Sequence, residues 1–591
     1  MNRLALLSHR WLQLFLLGFA VIAGRATPPD EATLILYHGK VVTVNARFDI
    51  QEAVALRNDR ILQVGNDAEI LKLRGPATQT FDLNGKMVLP GLMDSHAHPA
   101  DACLNEFDHP IPAMERIQDV LDYVAARARV LKKGQWIEVH QVFITRLLEQ
   151  RYPTRAELDR AAPDHPVLFQ TGPDASLNSL ALKLSGIGRD FKINDGAGGF
   201  AEKDPVTSEP TGILRNCSRY VRVEPASRPP GQSDKVRLLR DLLADYNSVG
   251  LTSVCDRDAR PEEIETYQKL HQSGGLTVRM SLSHHIDTVG PINLVEAQIR
   301  KVATHPLFKR PDDWLRIIGI KTFLDGGMLT GSAYMLQPWG VSAIYSITDP
   351  AYRGVRFIAQ DRLEAMVRAA VANDLQFTAH SVGDGAVTAL LDAYAAVDND
   401  LPIRKSRPCI SHSNFMTRDA VEQAARLGVM MDIQPAWLYL DTRTLAKHFG
   451  YDRLRFFQPL HSLFDAGAVA GGGSDHMQKI GSFRSVNPYN PFLGMATAIS
   501  RRAKDYDGRL HPEEALSRDQ AIRFYTINNA RILGTEDRLG SLDPGKLADL
   551  IVLDTDILHC AEEDISKTQV LRTYIGGRLF YARHSEPRPG P

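Results

Sequence analysis

The sequence predicts an α/β protein: a (β/α)8 TIM barrel with a small β-sandwich built from both chain ends and an inserted lid subdomain. Three observations support this prediction. Short apolar strands alternate with amphipathic helices through the middle of the chain, as they do in parallel βα units. Both chain ends carry short strands separated by turn residues. The stretch at 100–235 interrupts the alternation after its first strand and is too long for one loop.

The two terminal segments predict one composite β-domain. Residues 32–88 alternate strand patterns with turn signals, and Asn-Gly is among the strongest of hairpin signals. The predicted turns in this segment are His38-Gly39, Asn58-Asp59 and Asn84-Gly85. Residues 541–591 add strand patterns on both sides of a turn at Gly576-Gly577. Because neither segment is large enough to fold alone, we expect 32–88 and 541–591 to build one split β-sandwich.

Eight apolar segments predict the barrel strands, within a domain that spans 89–540. Helical patterns lie between several of them, as at 361–374 and 418–428. The insertion at 100–235 holds its own strand pattern and helices, so we expect it to cover the barrel mouth. The predicted barrel strands are 87–96, 251–256, 278–285, 315–325, 375–380, 407–412, 428–435 and 468–475.

Composition limits the partners of the protein. At 591 residues, the chain is long enough for a barrel and accessory domains. Its formal net charge is −1 with no basic stripe, which argues against nucleic acid and leaves a small-molecule substrate as the expected partner. Homo-oligomer formation stays open. The cysteines form no CxxC pair, which argues against a cysteine zinc site; they are Cys103, Cys217, Cys255, Cys409 and Cys560.

The N-terminus has the three regions of a secretory signal peptide. Arg3 and Arg10 precede an apolar core at 11–23, and small residues follow at Gly24 and Ala26. The core is short for a membrane span. We therefore expect residues 1–26 to be removed and the mature chain to be periplasmic or secreted, with no stable membrane partner. An uncleaved membrane anchor is the alternative.

Potential metal ligands end several of the barrel strands, where barrel active sites lie. His96 and His98 are two apart on the first strand and so point the same way. A single strand histidine can be an ordinary core residue, and Asp475 can cap the segment after it. Together, these side chains predict a divalent metal site, with zinc as the expected ion. The proposed ligands at strand ends are His96, His98, His380, His412 and Asp475.

Lys321 lies on the fourth predicted strand, in GIKTFLDGG. An ammonium group beside a metal is electrostatically unfavourable. A lysine with a lowered pKa can instead react with CO2 and form an anionic carbamate, a carboxylated lysine that bridges two metal ions. The alternative is an ammonium that pairs with Asp325 or binds a substrate oxygen.

These motifs resemble the amidohydrolase superfamily, in the branch of N-substituted formamide deformylases and YtcJ-like proteins. The resemblance covers nearly the whole chain after the signal peptide and includes LPGLMDSHAHP, IKTFLDGG, TAHSVGDGA, ISHSN, GGGSDH and LGSLDPGKLADLIVLD. It implies one or two divalent ions, with Lys321 carboxylated when two are bound. The implied metal ligands are His96, His98, Lys321, His380, His412 and Asp475.

The resemblance implies a metal-dependent hydrolase that attacks a C–N bond outside ordinary peptides, in an amide, formamide or cyclic amide. The signal-peptide pattern predicts that this hydrolase is exported. The nucleophile would be water whose pKa the metal lowers from 15.7 toward about 7. Asp475 would accept the water proton and pass it to the leaving nitrogen. Two alternatives stay open: hydrolysis of an ester, lactone or other C–O bond by the same centre, and a catalytically silent periplasmic binding protein.

The insertion departs from the branch near the expected substrate. Pro173 and Asp174 stand where the branch has a histidine, and Asn216 stands where it often has a glutamate. The metal motifs are therefore complete while the pocket is altered. We expect Asn178, Arg215 and Asn216 to shape substrate specificity rather than metal binding.

Overall fold

The computed structural model describes residues 31–140, 142–194 and 199–583. The predicted signal peptide at 1–26 lies outside these residues, as does the end of the C-terminal segment. Within the described ranges, no helix is both long and apolar enough to cross a bilayer.

The strands fall into four sheets. In chain order they are β1 (Ala32–Tyr37), β2 (Lys40–Val42), β3 (Ile50–Gln51), β4 (Ala53–Arg57), β5 (Arg60–Gly65), β6 (Arg74–Asp82), β7 (Met87–Pro90), β8 (Leu92–Ala97), β9 (Ile137–His140), β10 (Val167–Thr171), β11 (Asp174–Leu177), β12 (Phe200–Lys203), β13 (Pro210–Arg215), β14 (Leu251–Ala259), β15 (Arg279–His285), β16 (Leu315–Phe323), β17 (Gln376–Ser381), β18 (Cys409–His412), β19 (Met430–Ile433), β20 (Ala470–Gly472), β21 (Leu550–Leu553), β22 (Val570–Ile575) and β23 (Arg578–Ala582).

The α-helices mostly connect the barrel strands. They are α1 (Asp67–Ile70), α2 (Pro99–Ala102), α3 (Ile117–Val130), α4 (Arg155–Ala161), α5 (Ser179–Leu184), α6 (Gln232–Ser248), α7 (Pro261–Gln272), α8 (Ile292–Val302), α9 (Pro306–Lys309), α10 (Gln360–Val371), α11 (Asp384–Asp398), α12 (Arg418–Leu427), α13 (Pro435–Phe449), α14 (Leu460–Asp465), α15 (Pro491–Ser500), α16 (Arg518–Phe524) and α17 (Ile527–Leu533).

Helix α12 shows how local sequence sets these bounds. The Thr417 side chain accepts the Ala420 N–H at 3.1 Å and caps the first turn. Gly428 ends the helix with a φ of +72°, a conformation that glycine adopts without steric cost. Between the caps, the buried residues recur at helical spacing and face the core; they are Ala420, Val421, Ala424 and Leu427.

The barrel is an eight-stranded sheet in the order β20-β19-β18-β17-β16-β15-β14-β8. All seven pairings in it are parallel. A parallel bridge between Ala97 and His476 joins the first strand to the segment after the last one. Every predicted barrel strand is present, and the predicted (β/α)8 fold is confirmed. Its strands and helices enclose the largest cluster of buried apolar side chains.

The first predicted strand, 87–96, is two strands rather than one. β7 pairs with β2 and β21, whereas β8 pairs with β14 in the barrel. The chain changes sheets at Gly91, whose N–H donates to the Asp549 carbonyl at 2.9 Å. A Cβ at this position would lie 2.2 Å from Thr252 Oγ1, so a larger residue would force the barrel strand away.

Both chain ends contribute to a six-stranded sheet in the order β23-β22-β21-β7-β2-β3. A second, four-stranded sheet in the order β5-β4-β1-β6 comes from the N-terminal segment alone. Apolar side chains from the two sheets form one buried cluster, in which Leu36 and Leu56 meet Val88 and Val552. The boundaries of the domains remain a prediction.

The Asn84-Gly85 turn does not make the hairpin that its sequence indicates. β6 before the turn pairs with β1, and β7 after it pairs with β2, so the turn carries the chain between sheets. The Gly85 N–H donates to the His38 carbonyl at 2.8 Å. The crossing from β1 to β2 at His38-Gly39 and the crossing from β6 to β7 at Asn84-Gly85 therefore lie side by side. The turns at Asn58-Asp59 and Gly576-Gly577 do close hairpins.

The insertion forms a five-stranded sheet in the order β12-β13-β11-β10-β9. It contacts segments that follow the last two barrel strands. Gln478 Nε2 donates to the His140 carbonyl at 3.1 Å, and Arg484 pairs with Glu106 at 2.8 Å. These contacts place part of the insertion at the carboxyl end of the barrel.

A buried ion pair connects the barrel to the six-stranded sheet. Arg279 on β15 binds both carboxylate oxygens of Asp549, at 2.7 and 2.9 Å. Asp549 also accepts the Gly576 N–H at 2.8 Å. We expect Asp549→Ala to lower the free energy of unfolding by about 3–5 kcal/mol, because it leaves a buried guanidinium unpaired.

Urea denaturation followed by circular dichroism measures this loss. The control is Asp164→Ala, which removes the exposed Lys133 pair and is expected to change stability by less than about 0.5 kcal/mol. Equal effects of the two substitutions would show that the buried pair does not couple the sheet to the barrel.

Candidate metal centre

His96 and His98 project from the carboxyl end of β8. His96 is fully buried, and its Nδ1 donates to Asp432 Oδ1 at 2.9 Å. His98 is partly exposed, and its backbone N–H donates to the His476 carbonyl at 2.8 Å. His96 therefore lies deep in the site, while His98 faces its open side.

Asp475 follows β20 and meets both histidines. Its Oδ1 lies 3.2 Å from His98 Nε2 and 3.5 Å from His96 Nε2. One ligand atom from each of the three residues lies within 4.8 Å of the other two. The Asp475 backbone has a φ of +54°, a strained conformation of the kind that clusters at functional sites. Its N–H donates to the His96 carbonyl at 2.7 Å.

His380 and His412 continue the same group of imidazoles. Their ring centroids are 4.5 Å apart, and the His412 ring lies 4.7 Å from that of His96. His412 has a φ of +78°, and its Nδ1 donates to Gln434 Oε1 at 2.8 Å. The structure thus brings together the histidines and the aspartate that the sequence assigned to one site.

Lys321 lies on β16 with only 1% of its surface exposed. Burial lowers the pKa of this amine, against the opposing charges of Asp258, Asp432 and Asp475. In the described part of the chain, no carboxylate pairs with it within 4.0 Å. The pair with Asp325 does not form, because that carboxylate accepts the N–H groups of Tyr334, Val382 and Gly383 at 2.9–3.0 Å.

Burial keeps three of the imidazoles neutral. It lowers the pKa of His96 and of His412 well below the usual value, and that of His380 to about 3; the positive charge of Lys321 adds to each shift. Burial also lowers the pKa of His98, but Asp475 and Asp256 outweigh it and raise this pKa to about 9. Neutral imidazoles offer the lone pairs that a metal requires.

The donor set fits a divalent metal ion. His96 Nε2 is buried and has no hydrogen-bond partner among the described residues. A buried nitrogen without a partner is unfavourable unless a ligand satisfies it. Two imidazoles and a carboxylate at this spacing are typical of zinc and similar ions.

Asp432 and Arg257 support this site, although no sequence motif singled them out. Asp432 Oδ1 accepts from His96, and its Oδ2 lies 3.0 Å from Arg257 Nε. Asp432 and Arg257 are fully buried. Asp432 and Gln434 are two residues apart at the end of β19, the same spacing as His96 and His98. Side chains at this spacing on a strand point the same way, and this was the sequence signal that could have identified Asp432.

A second chain of contacts runs from the insertion to Asp475. Arg146 binds Asp441 through two hydrogen bonds of 2.8 Å, and its Nη1 donates to Asn487 Oδ1 at 3.1 Å. Asn487 Nδ2 donates to the Asp475 carbonyl at 2.8 Å. No local pattern marks Arg146 or Asn487, because their partners are distant in sequence.

Three further histidines flank the site, and their contacts are structural. His476 accepts from the Tyr246 hydroxyl at 2.6 Å and donates from Nε2 to the Gln478 and Lys479 carbonyls. His285 Nδ1 lies 2.8 Å from Asp258 Oδ1, and His284 Nδ1 donates to the His285 carbonyl at 2.7 Å.

The predicted specificity residues occupy two different environments. The Asn178 side chain caps α5 and, among the described residues, bonds to backbone groups of Val167, Ala181 and His165. Arg215 and Asn216 line a cavity between the insertion and the loop after β16. This placement favours a structural role for Asn178. The effect of all three residues on specificity remains a prediction.

A ring of candidate metal ligands at the carboxyl end of a (β/α)8 barrel is typical of metal-dependent hydrolases. The amidohydrolase family matches residues 79–581, which is most of the chain. The chain therefore belongs to the amidohydrolase family. The predicted enzyme class, a metal-dependent amidohydrolase acting on C–N bonds, and the predicted branch are confirmed.

Relatives and solved structures agree with this assignment. The chain is 28% identical to an N-substituted formamide deformylase of Arthrobacter pascens, over 93% of this chain and 98% of that protein. It is 25% identical to YtcJ of Bacillus subtilis, over 93% and 99%. The crystal structure of an uncharacterized metal-dependent hydrolase from Pyrococcus furiosus has the same fold, with a TM-score of 0.63 at 22% identity over 89% of this chain and 100% of that chain.

The contact between Asp432 and His96 leads to a prediction about metal affinity. Asp432→Asn keeps the shape of the side chain but removes the charge that orients His96. We expect metal affinity to fall about 10- to 100-fold. Competition with a chelator measures the change.

The control is Asp549→Asn, which alters a buried aspartate paired with an arginine far from the metal ligands. It is expected to leave metal affinity unchanged. An Asp432→Asn variant with wild-type affinity would contradict the supporting role of this carboxylate.

Proposed function

We propose that the protein hydrolyses the C–N bond of a small non-peptide amide, with a formamide that carries a substituent on nitrogen as the favoured substrate and cyclic amides as relatives of it. The observation that carries the proposal is the convergence of His96, His98 and Asp475 within 4.8 Å at the barrel mouth. Similarity to the formamide deformylase over 93% of the chain supports this choice of bond.

The residues that would hold the metal are those at the strand ends. His96, His98 and Asp475 are the central set, and His380, His412 and Lys321 adjoin them. When bound, zinc or a similar divalent ion would polarise a carbonyl oxygen and make water nucleophilic at neutral pH.

Side chains of the protein would transfer the proton from the attacking water to the leaving nitrogen. In the overall reaction, water adds to the carbonyl carbon, the C–N bond breaks, and the products are a carboxylic acid and an amine. The Asp475 carboxylate would accept a proton from water and return it to the departing nitrogen. Its carbonyl is held by Asn487 at 2.8 Å, which restricts the motion of this segment. Among the proposed metal ligands, the histidines His98 and His380 are partly exposed and would border the approach of the substrate.

Lys321 is proposed to be carboxylated when two ions are bound. A neutral amine attacks CO2, an N–C bond forms, and the nitrogen loses a proton to give an anionic carbamate. Burial of Lys321 lowers its pKa and so favours the neutral amine that this step needs. The lack of a pairing carboxylate within 4.0 Å among the described residues also favours the neutral amine.

Export to the periplasm or the medium is proposed as well. Its support is the order of charged, apolar and small residues at 1–26.

A substrate panel tests the proposed reaction. Zinc-loaded protein is assayed with substituted formamides, longer acyl amides, cyclic amides, esters and lactones, before and after metal removal. We expect metal-dependent release of amine from the amides. In Asp475→Asn, kcat should fall by at least about 10²-fold, because the proton acceptor is lost. Turnover confined to esters or lactones would replace this proposal with C–O hydrolysis.

Lys321→Ala separates the two roles of the lysine. Under the carbamate proposal, metal content measured by mass spectrometry should fall together with kcat. A short carboxylic acid added to the assay should restore part of the activity, because it supplies the missing oxygens. A variant with full metal content and a change in KM alone would identify Lys321 as a substrate-binding ammonium.

A further inference from the structure

A cavity of about 310 Å3 lies between the insertion and the loop that follows β16. This volume is at the lower end of the range for sites that bind small molecules. Pro173 and Arg215 line it from the insertion. Thr330, Tyr345 and Val355 line it from the loop.

The lining is mainly apolar and contains several rings. Tyr345 and Tyr352 lie in the wall, together with Ile347 and Val355. Phe200 and Phe357 also line the cavity and are 50% and 49% exposed. Exposed aromatic rings beside a concave apolar surface are typical of a ligand site.

The charges in the wall are already paired. Arg215 Nη1 lies 3.0 Å from Asp174 Oδ2 and 2.7 Å from the Tyr152 hydroxyl, and its Nη2 donates to the Tyr345 and Thr330 carbonyls. Asp174 Oδ1 accepts the Asn216 N–H at 2.7 Å. Arg215 therefore builds the wall and does not offer an unpaired charge to a ligand. Asp349 also lines the cavity, and its carboxylate disfavours an anionic ligand.

One short segment connects this cavity to the metal centre. The Phe323 ring lies 5.4 Å from the His380 ring, and the Leu324 N–H donates to the His380 carbonyl at 3.0 Å. The Leu324 carbonyl in turn accepts the N–H of Phe357, at 2.8 Å. Two backbone hydrogen bonds through Leu324 thus connect Phe357, which lines the cavity, to His380, a proposed metal ligand.

A second set of contacts connects the cavity to the same histidine. His380 Nε2 lies 3.4 Å from the Gly326 carbonyl oxygen. The next residue, Gly327, donates its N–H to Ser332 Oγ at 3.1 Å, and Ser332 lines the cavity. The loop that borders His380 therefore also forms a wall of the cavity.

We propose that this cavity binds the group carried on the amide nitrogen of the substrate, and that it selects a neutral, apolar substituent of about the size of an aromatic ring. The inference rests on the proposed function, since it takes the hydrolysed bond to be at the metal centre. A formamide has a minimal acyl part, so the nitrogen substituent supplies nearly all of the surface that can be buried. Burial of an aromatic ring is a large favourable contribution to binding.

The test compares two substrates in three proteins. The substrates are formamides whose nitrogen carries methyl or 2-phenylethyl, assayed with the zinc-loaded full chain. Val355→Trp fills the cavity. Val341→Trp, in the same loop and 64% exposed, is the matched control. We expect Val355→Trp to lower the ratio of kcat/KM for 2-phenylethyl over methyl by about tenfold or more, as expected for the loss of aromatic burial, while Val341→Trp leaves this ratio unchanged.

A second variant covers the case in which Val355→Trp does not fold. Phe357→Ala removes a half-exposed ring from the cavity and should lower the same ratio in the same direction. Turnover of both substrates with an unchanged ratio in the folded cavity variants would overturn the cavity proposal and leave the proposed reaction intact.

Direct binding separates failure of the site from failure of the reaction. Ligand-observed NMR is recorded with 2-phenylethanol and with 3-phenylpropanoate as neutral and anionic probes. If neither formamide is hydrolysed but 2-phenylethanol binds wild type and not the folded cavity variant, the cavity is a site for a neutral aromatic group, and the proposed reaction is wrong together with the assignment of that group to an amide nitrogen. Absence of binding, or stronger binding of the anion, would overturn the assignment.

Discussion

Closure of the barrel between its first and last strands is the constraint on which the rest of the site depends. Asp94 Oδ1 accepts the N–H groups of His96 and Ser474, at 2.9 and 3.1 Å. Asn529 Nδ2 donates to the carbonyls of Met93 and Gly472, at 2.6 and 2.7 Å. These contacts set β8 against β20. The histidines of the first strand and the aspartate after the last strand, which are far apart in sequence, thereby meet in one ligand set.

The buried charges around this junction explain how His96 is oriented to bind a metal. Asp432 binds the Nδ1 side of His96 and directs Nε2 toward Asp475. Arg257 Nε lies 3.0 Å from the other oxygen of the same carboxylate, so these two buried side chains form an ion pair. Burial that keeps imidazoles neutral also lowers the pKa of Lys321. The same buried environment thus favours neutral imidazoles, as metal binding requires, and a neutral Lys321 amine, as carboxylation requires.

The insertion contacts both the candidate metal centre and the cavity. Through Arg146 and Asn487 it reaches the backbone of Asp475. Through Arg215 it builds the wall of the cavity beside the loop after β16. Changes in the insertion can therefore alter the cavity while the proposed metal ligands stay the same, because its contacts to the centre are made through backbone groups and supporting side chains. This arrangement is consistent with intact metal motifs beside an altered pocket.

The sequence by itself determined the features that depend on local pattern. The βα alternation predicted the barrel, and polar residues at strand ends identified His96, His98, His380, His412 and Asp475. Only the tertiary structure decided that Gly91 divides one apolar run between two sheets and that Asn84-Gly85 joins sheets instead of closing a hairpin. It also revealed the partnership of Asp432 with Arg257. The physical reason is range: periodicity, turns and strand ends are encoded by neighbours in sequence, whereas strand partners, buried ion pairs and cavities arise when distant segments pack together.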